Sequence, residues 1–170
     1  MPIRHMLPGL CCLAIFGVSG YSATLSTADK DFLITAARTD MTEAHEGQMA
    51  EDKAARADVK DFAKTLVQDH TDNYRQLTAL AGKTGVAIPK GINTGKDQKI
   101  QQLSRLKGAS FDRQFEQHEI ADHRRALAMY KREAARAQDP DVKAFAASTI
   151  PVLEKHLHLA EACAKPAKRT

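Results

Sequence analysis

From Ser26 to about Ala164 the chain carries one kind of hydrophobic periodicity, the three-to-four-residue spacing of helices, and no stretch of strict alternation. Ala, Leu, Lys, Glu and Gln dominate throughout. Such a chain buries its apolar residues by packing helix on helix, so the fold class is all-α. The first long helix is expected to begin at Ser26 or Thr27, with Asp29 in its first turn, and to end near Ala57. Asp58 is placed to cap the second, with Asp61 three residues on in the manner of a capping box. That helix should run to about Leu80 and stop at Gly82. Residues 82–96 hold four Gly, one Pro and one Asn, a loop composition. Ile100, Leu103 and Leu106 mark a short helix inside this connection. The third long helix is expected from about Ser110 to Ala137, and the fourth from Asp139-Pro140 to about Ala164. Asp139-Pro140 pairs a cap with proline at the first helical position. Pro151 should kink the fourth helix or be absorbed by a local bulge.

An internal repeat narrows the architecture. Ala54-Ala-Arg-Ala57 is followed by Asp58-Val-Lys-Asp-Phe-Ala63; Ala134-Ala-Arg-Ala137 is followed, after three extra residues, by Asp141-Val-Lys-Ala-Phe-Ala146. Two αα-hairpins that copy one another, joined by a long crossover, make a ferritin-like four-helix bundle. In this alignment Glu43 is equated with His123, each fourteen residues before its hairpin turn.

Residues 1–23 read differently. Arg4, the apolar run Leu10–Val18 and the small residues around Ser22-Ala23 have the layout of a secretory signal peptide. The bundle is then expected over 24–165, with a frayed tail over 166–170 and a periplasmic or secreted location. Removal of the leader takes Cys11 and Cys12 and leaves Cys163 alone, so no internal disulfide holds the mature chain. No later segment is apolar enough to cross a membrane. The net charge of +4 is spread over 25 basic and 21 acidic residues, and aromatics are 5% with no Trp; no nucleic-acid partner follows from this balance. Oligomeric state is left open.

On helical wheels each long helix has an apolar stripe with one titratable group on its midline: Glu43, His70, His123 and His156. Helices of this length are about 40 Å long, and all four groups fall near mid-height. Buried together, they need a partner. Three imidazoles and a carboxylate suit a transition-metal ion, Zn, Fe, Mn or Cu. Glu119, one turn from His123, is a fifth ligand or an acceptor behind the ligands. Glu46 and Glu116 are expected at the rim, and His45, His118 and His158 toward solvent. Asp69 and Asp122 flank the stripes. The metal-free alternative is a buried hydrogen-bond network with trapped water. No Glu-x-x-His occurs, which counts against a standard di-iron centre.

With Met41-Thr-Glu43, Asp58-Val-Lys-Asp-Phe-Ala63, Asp69-His70, Phe111-Asp112, His123 and Ile150-Pro-Val-Leu-Glu-Lys-His156, the chain resembles the secreted bacterial family called domain of unknown function 4142 over about residues 27–163. The resemblance implies export and a helical, ferritin-like fold, and implies little about activity. The outer-membrane label often given to the family does not suit a chain without barrel strands. The functional expectation is an exported protein that binds a metal ion in its core, with a role in metal handling or stress protection. The alternatives are a non-enzymatic envelope module with a structural polar core and a small-molecule binder with a cavity between its helices. No organic cofactor is indicated.

Overall fold

The structure, a computed structural model, describes residues 25–165 apart from Asn93 and Lys96. The expected leader at 1–23 and tail at 166–170 lie outside the described residues. Five helices follow in order: α1 Thr27–Lys53, α2 Ala57–Thr84, α3 Gln98–Ser104, α4 Gly108–Arg136 and α5 Pro140–Cys163. The protein is all-α, as the periodicity requires.

Local chemistry sets most of the ends. Ser26 accepts a hydrogen bond from the Asp29 N–H and starts α1. Asp139 accepts from the Asp141 and Val142 N–H groups, and Pro140 follows where no N–H is needed. Asp97 caps α3 in the same way. Four boundaries differ from the sequence reading. The first helix stops at Lys53, short of Ala57. Asp58 does not cap α2; it lies in the first turn, paired with the Arg56 guanidinium. No side chain caps α2; the turn before it is held from elsewhere in the fold, because Asp112 of α4 accepts from the Ala55 and Arg56 N–H groups at 3.0 and 3.2 Å. The second helix runs through Gly82 to Thr84 and ends at Gly85, whose φ of 70° suits a residue without Cβ. One interior glycine costs about 1 kcal/mol, which the packing of Leu80 and Ala81 outweighs. The fourth element starts at Gly108, two residues before Ser110. Pro151 is exposed and α5 is continuous through it.

The long helices form two antiparallel hairpins, α1–α2 and α4–α5, joined by the crossover that holds α3. Two apolar clusters occupy the two ends. One joins Phe32 and Leu33 of α1, Leu77 of α2, Tyr130 of α4 and Phe145 and Leu153 of α5. The other joins Ala50 of α1, Val59, Phe62 and Leu66 of α2, Phe111 and Phe115 of α4 and Ala160 of α5. Each end thus gathers the N-terminal parts of two helices with the C-terminal parts of the other two. The crossover carries the chain from one end to the other, which is the ferritin-like arrangement. Gly47 lets α1 and α2 approach: a Cβ there would lie 2.8 Å from Val67 Cγ2 and 3.0 Å from the Ala63 carbonyl oxygen.

The structural repeat has a different register from the sequence alignment. Ala54 and Ala137 are both C-caps, 83 positions apart, and Asp29 and Asp112 share that offset. Asp29 accepts from the Gln138 and Asp139 N–H groups, as Asp112 does from Ala55 and Arg56. The register therefore matches His123 with Asp40, not with Glu43. The similar Ala-Ala-Arg-Ala runs misled because they align one helical turn out of step.

Candidate metal centre

Between the two apolar clusters the bundle holds a polar layer. Glu43, His70, Glu119, His123 and His156 are all buried in it, none more than 3% exposed. Glu43, His70, His123 and His156 come from the midlines of their helices and Glu119 from one turn before His123, so the stripes predicted from the wheel do face one another. The five do not form one constellation. Their donor atoms fall into two groups, His70–His123–His156 and Glu43–Glu119–His123, each with its atoms within 4.8 Å of one another. His123 belongs to both.

The imidazole group is held from outside. His70 Nδ1 lies 2.9 Å from Asp40 Oδ1. Asp40 also accepts from the Asn73 amide at 2.9 and 3.1 Å, and Asn73 in turn accepts from Thr149 Oγ1. His123 Nδ1 donates to the Glu119 carbonyl at 2.9 Å. His156 Nε2 lies 2.9 Å from Asp69 Oδ2, which Lys155 also holds. Burial raises Asp69, but the hydrogen bonds from Lys155 and His156 outweigh it and keep the carboxyl below its usual range. Asp69 is thus an acceptor, and His156 Nε2 donates. Burial, with the charge of His70, pushes His156 down to about 3, and burial lowers His123 as well. Both rings are neutral at physiological pH.

Tautomers follow from these partners. With its outer nitrogen donating, a neutral ring turns its lone pair inward: His123 Nε2 and His156 Nδ1 do so, and His70 Nε2 does so once its proton is lost. His123 Nε2 and His156 Nδ1 face each other at 3.2 Å, and His70 Nε2 is buried with no hydrogen-bond partner among the described residues. Burial works against the His70 imidazolium, but Asp40 and Glu43 outweigh it and raise its pKa, so a proton can sit there in the metal-free protein. Three buried imidazoles with ligand nitrogens within 4.8 Å of one another, each ring backed by an oxygen acceptor, is the arrangement metal-ligating histidines adopt. Two nitrogens bound tetrahedrally to one Zn ion are roughly 3.3 Å apart, so the residues fit an ion. A pocket of about 280 Å³ between α2 and α5 reaches His70 and His156 past Asp69.

The carboxylate group lies on the α1–α4 side. Glu119 Oε2 is 3.5 Å from His123 Nδ1. Burial and the neighbouring charge of Glu43 push Glu119 well above the carboxylate range. Glu46, expected at the rim, is fully buried one turn from Glu43, and burial with the Glu43 charge pushes it up to about 8. Glu116, also expected at the rim, is buried and pairs with Arg56 at 2.8 Å. His158 is exposed, but His45 and His118 are half-buried, and His118 accepts from the Gln114 amide at 2.8 Å. Asp122 pairs with Lys99 and Arg125 away from the imidazoles. Cys163 is buried and burial raises it to about 11, which leaves it unreactive. Asp40 and Asn73 were missed from sequence. The signal was present: each lies three residues from a midline group on its own helix.

Domain of unknown function (DUF4142) matches residues 19–163. The chain belongs to the DUF4142 family. No match emerged among curated proteins. Solved structures resemble this DUF4142 fold at low identity. A DUF305 fragment from Deinococcus radiodurans has a TM-score of 0.71 at 16% identity, covering 81% of this chain and 95% of its own. CopM in its Cu(I)-bound form has a TM-score of 0.67 at 16% identity, covering 79% and 93%. A DUF305 protein from Streptomyces coelicolor, described as secreted, has a TM-score of 0.66 at 16% identity, covering 78% and 89%. Among the described residues no helix is long and apolar enough to cross a membrane.

Proposed function

We propose that this DUF4142 protein is an exported metal-binding protein that holds one transition-metal ion on His70, His123 and His156, in metal handling or stress protection. The observation that carries the reading is the set of three buried imidazoles with ligand nitrogens within 4.8 Å of one another, His70 Nε2 unpartnered among the described residues, and every outer nitrogen fixed. The candidate ligand set divides accordingly: the imidazoles hold this ion, and Glu43 and Glu119 stand beside it. Asp40, Asp69 and the Glu119 carbonyl would orient the rings, and an ion would displace the proton that Asp40 favours on His70. A bound ion supplies positive charge where two lone pairs otherwise oppose each other.

Among Zn, Fe, Mn and Cu, an all-imidazole donor set favours Cu and Zn over Mn. CopM, similar in fold, is known in Cu(I)-bound, Cu(II)-bound and Ag-bound forms, which supports testing copper first. Export is proposed from the leader at residues 1–23, and the secreted description of the Streptomyces relative is consistent with it.

The test is to express the protein for export, purify it without a metal-affinity tag and measure bound metals by elemental mass spectrometry. His70→Ala and His156→Ala run alongside. Near-stoichiometric copper or zinc in the parent, absent from both variants, is the expected result. A parent that arrives metal-free and refuses added Cu, Zn, Fe and Mn overturns the reading, and the layer is then a structural polar core.

A further inference from the structure

Five oxygens of three glutamates next to the imidazoles receive no hydrogen bond from any N–H or hydroxyl of the described residues, and Glu43 and Glu119 have only each other, as carboxylate and protonated carboxyl. Glu43, Glu46 and Glu119 are at most 3% exposed. The five oxygens are Glu43 Oε2 and both carboxyl oxygens of Glu46 and of Glu119. An unsatisfied buried carboxyl costs several kcal/mol at order of magnitude, and here three share one site. One side-chain cation acts on all of them. Lys99 of α3 bears electrostatically on Glu43, Glu46 and Glu119, yet its ammonium is spent on Asp122. The cluster has a neighbouring positive charge but no ligand of its own.

The geometry of the donors points inward. Glu43, Glu119 and His123 offer atoms within 4.8 Å of one another. His123 turns Nε2 toward His156, while its Nδ1–H, held by the Glu119 carbonyl, lies 3.5 Å from Glu119 Oε2, so the ring borders the glutamates without being their ligand through Nδ1. Access also differs. A pocket of about 370 Å³ opens between α1 and α4, with Glu43, Asp122 and the cations Arg38, Lys99 and Arg125 in its wall. The imidazoles are reached from the opposite side, between α2 and α5.

We propose that Glu43 and Glu119, with His123 at the border and Glu46 one turn along α1, form a second cation site for a hard divalent ion of the Mn2+ class, entered through the α1–α4 pocket. Carboxylate oxygens suit hard ions such as Mn2+, whereas three imidazoles suit Cu and Zn. The site shares His123 with the reading above but does not require an ion on the imidazoles. Lys99 acts against it as a competing charge.

Mn2+ is titrated into the metal-free mature chain and the free-ion electron paramagnetic resonance signal is followed. The series comprises the parent, Glu119→Gln, Glu46→Gln, Lys99→Met and the double variant His70→Asn/His156→Asn, with folding checked by circular dichroism. Glutamine keeps the shape and removes buried charge, so these variants retain the fold. The expected result is one Mn2+ per chain in the parent and in the double His variant. Glu119→Gln should lose roughly tenfold or more in affinity, Glu46→Gln less, and Lys99→Met should gain severalfold. Failure of the parent to bind Mn2+ overturns the proposal. So does loss of Mn2+ in the double His variant, or binding indifferent to both glutamate changes. Copper loading of the same samples reads the imidazole site separately: Mn2+ retained with no copper bound sinks that reading and leaves this one.

Discussion

The two halves of the polar layer are equally buried and are satisfied in opposite ways. Each imidazole has an outer nitrogen fixed by Asp40, Asp69 or the Glu119 carbonyl, and only its inner nitrogen is left for a ligand. The glutamates have no such outer partners, and five of their oxygens are orphaned. The difference teaches that burial alone does not make a site. On one side the surrounding residues have already chosen a tautomer and an orientation. On the other only charge accumulates, and protons must neutralise it until a cation arrives.

The largest effect should come at the residue both halves share. His123→Ala is expected to abolish copper or zinc loading and to weaken Mn2+ binding, as elemental analysis and Mn2+ titration would show. Persistence of both at parental strength would mean that the two groups do not meet at His123. Next in size is the proton held by the glutamates. In the metal-free protein Glu46 has its pKa raised from 4.5 to about 8, so the unfolded chain releases that proton first. Its contribution to stability therefore falls as pH rises from 4.5 to about 8. Glu46→Gln should raise stability at pH 8 by on the order of 3 kcal/mol and change little at pH 4. Urea unfolding at the two pH values checks this.

The imidazole half should respond with the opposite sign. His156 is lowered from 6.5 to about 3, so the unfolded chain takes up a proton first on acidification. Stability from the neutral ring is whole above pH 6.5 and is lost as pH falls toward 3. His156→Gln should flatten that acid limb, measured as the pH dependence of Tm; an unchanged slope would place the acid sensitivity elsewhere. The smallest change tests the outer partners. Asp69→Asn leaves every ligand in place but removes the acceptor charge behind His156. Metal affinity should drop about tenfold with the fold intact, by competition against a calibrated chelator.

Much of the scaffold was legible in the chain. Thr27, Pro140 and the Gly-rich connection lie where helix-start and loop chemistry put them, because caps and turns are local. The midline positions of Glu43, His70, His123 and His156 were legible too, since side-chain direction along a helix repeats every 3.6 residues. The misplaced features depend on contacts far apart in sequence. Asp112 holds the α1–α2 turn across 57 residues, which no local pattern at Asp58 reveals. Glu46 and Glu116 look like rim residues on a wheel, yet close helix approach covers the first, and Arg56 pairs with the second. The repeat register slipped for a related reason: Ala-rich helix ends resemble one another at any one-turn shift, and only the shared roles of Asp29 and Asp112 settle it.

By itself the amino-acid sequence determined that four amphipathic helices would pair as two hairpins and carry titratable groups into the core at one height, because periodicity and rise per residue are properties of the backbone. The tertiary structure alone decided that these groups split into an imidazole triad and a carboxylate cluster joined at His123. That division depends on which nitrogen meets which acceptor, and Asp40, Asp69 and the Glu119 carbonyl take up those positions only when α1, α2, α4 and α5 are packed together.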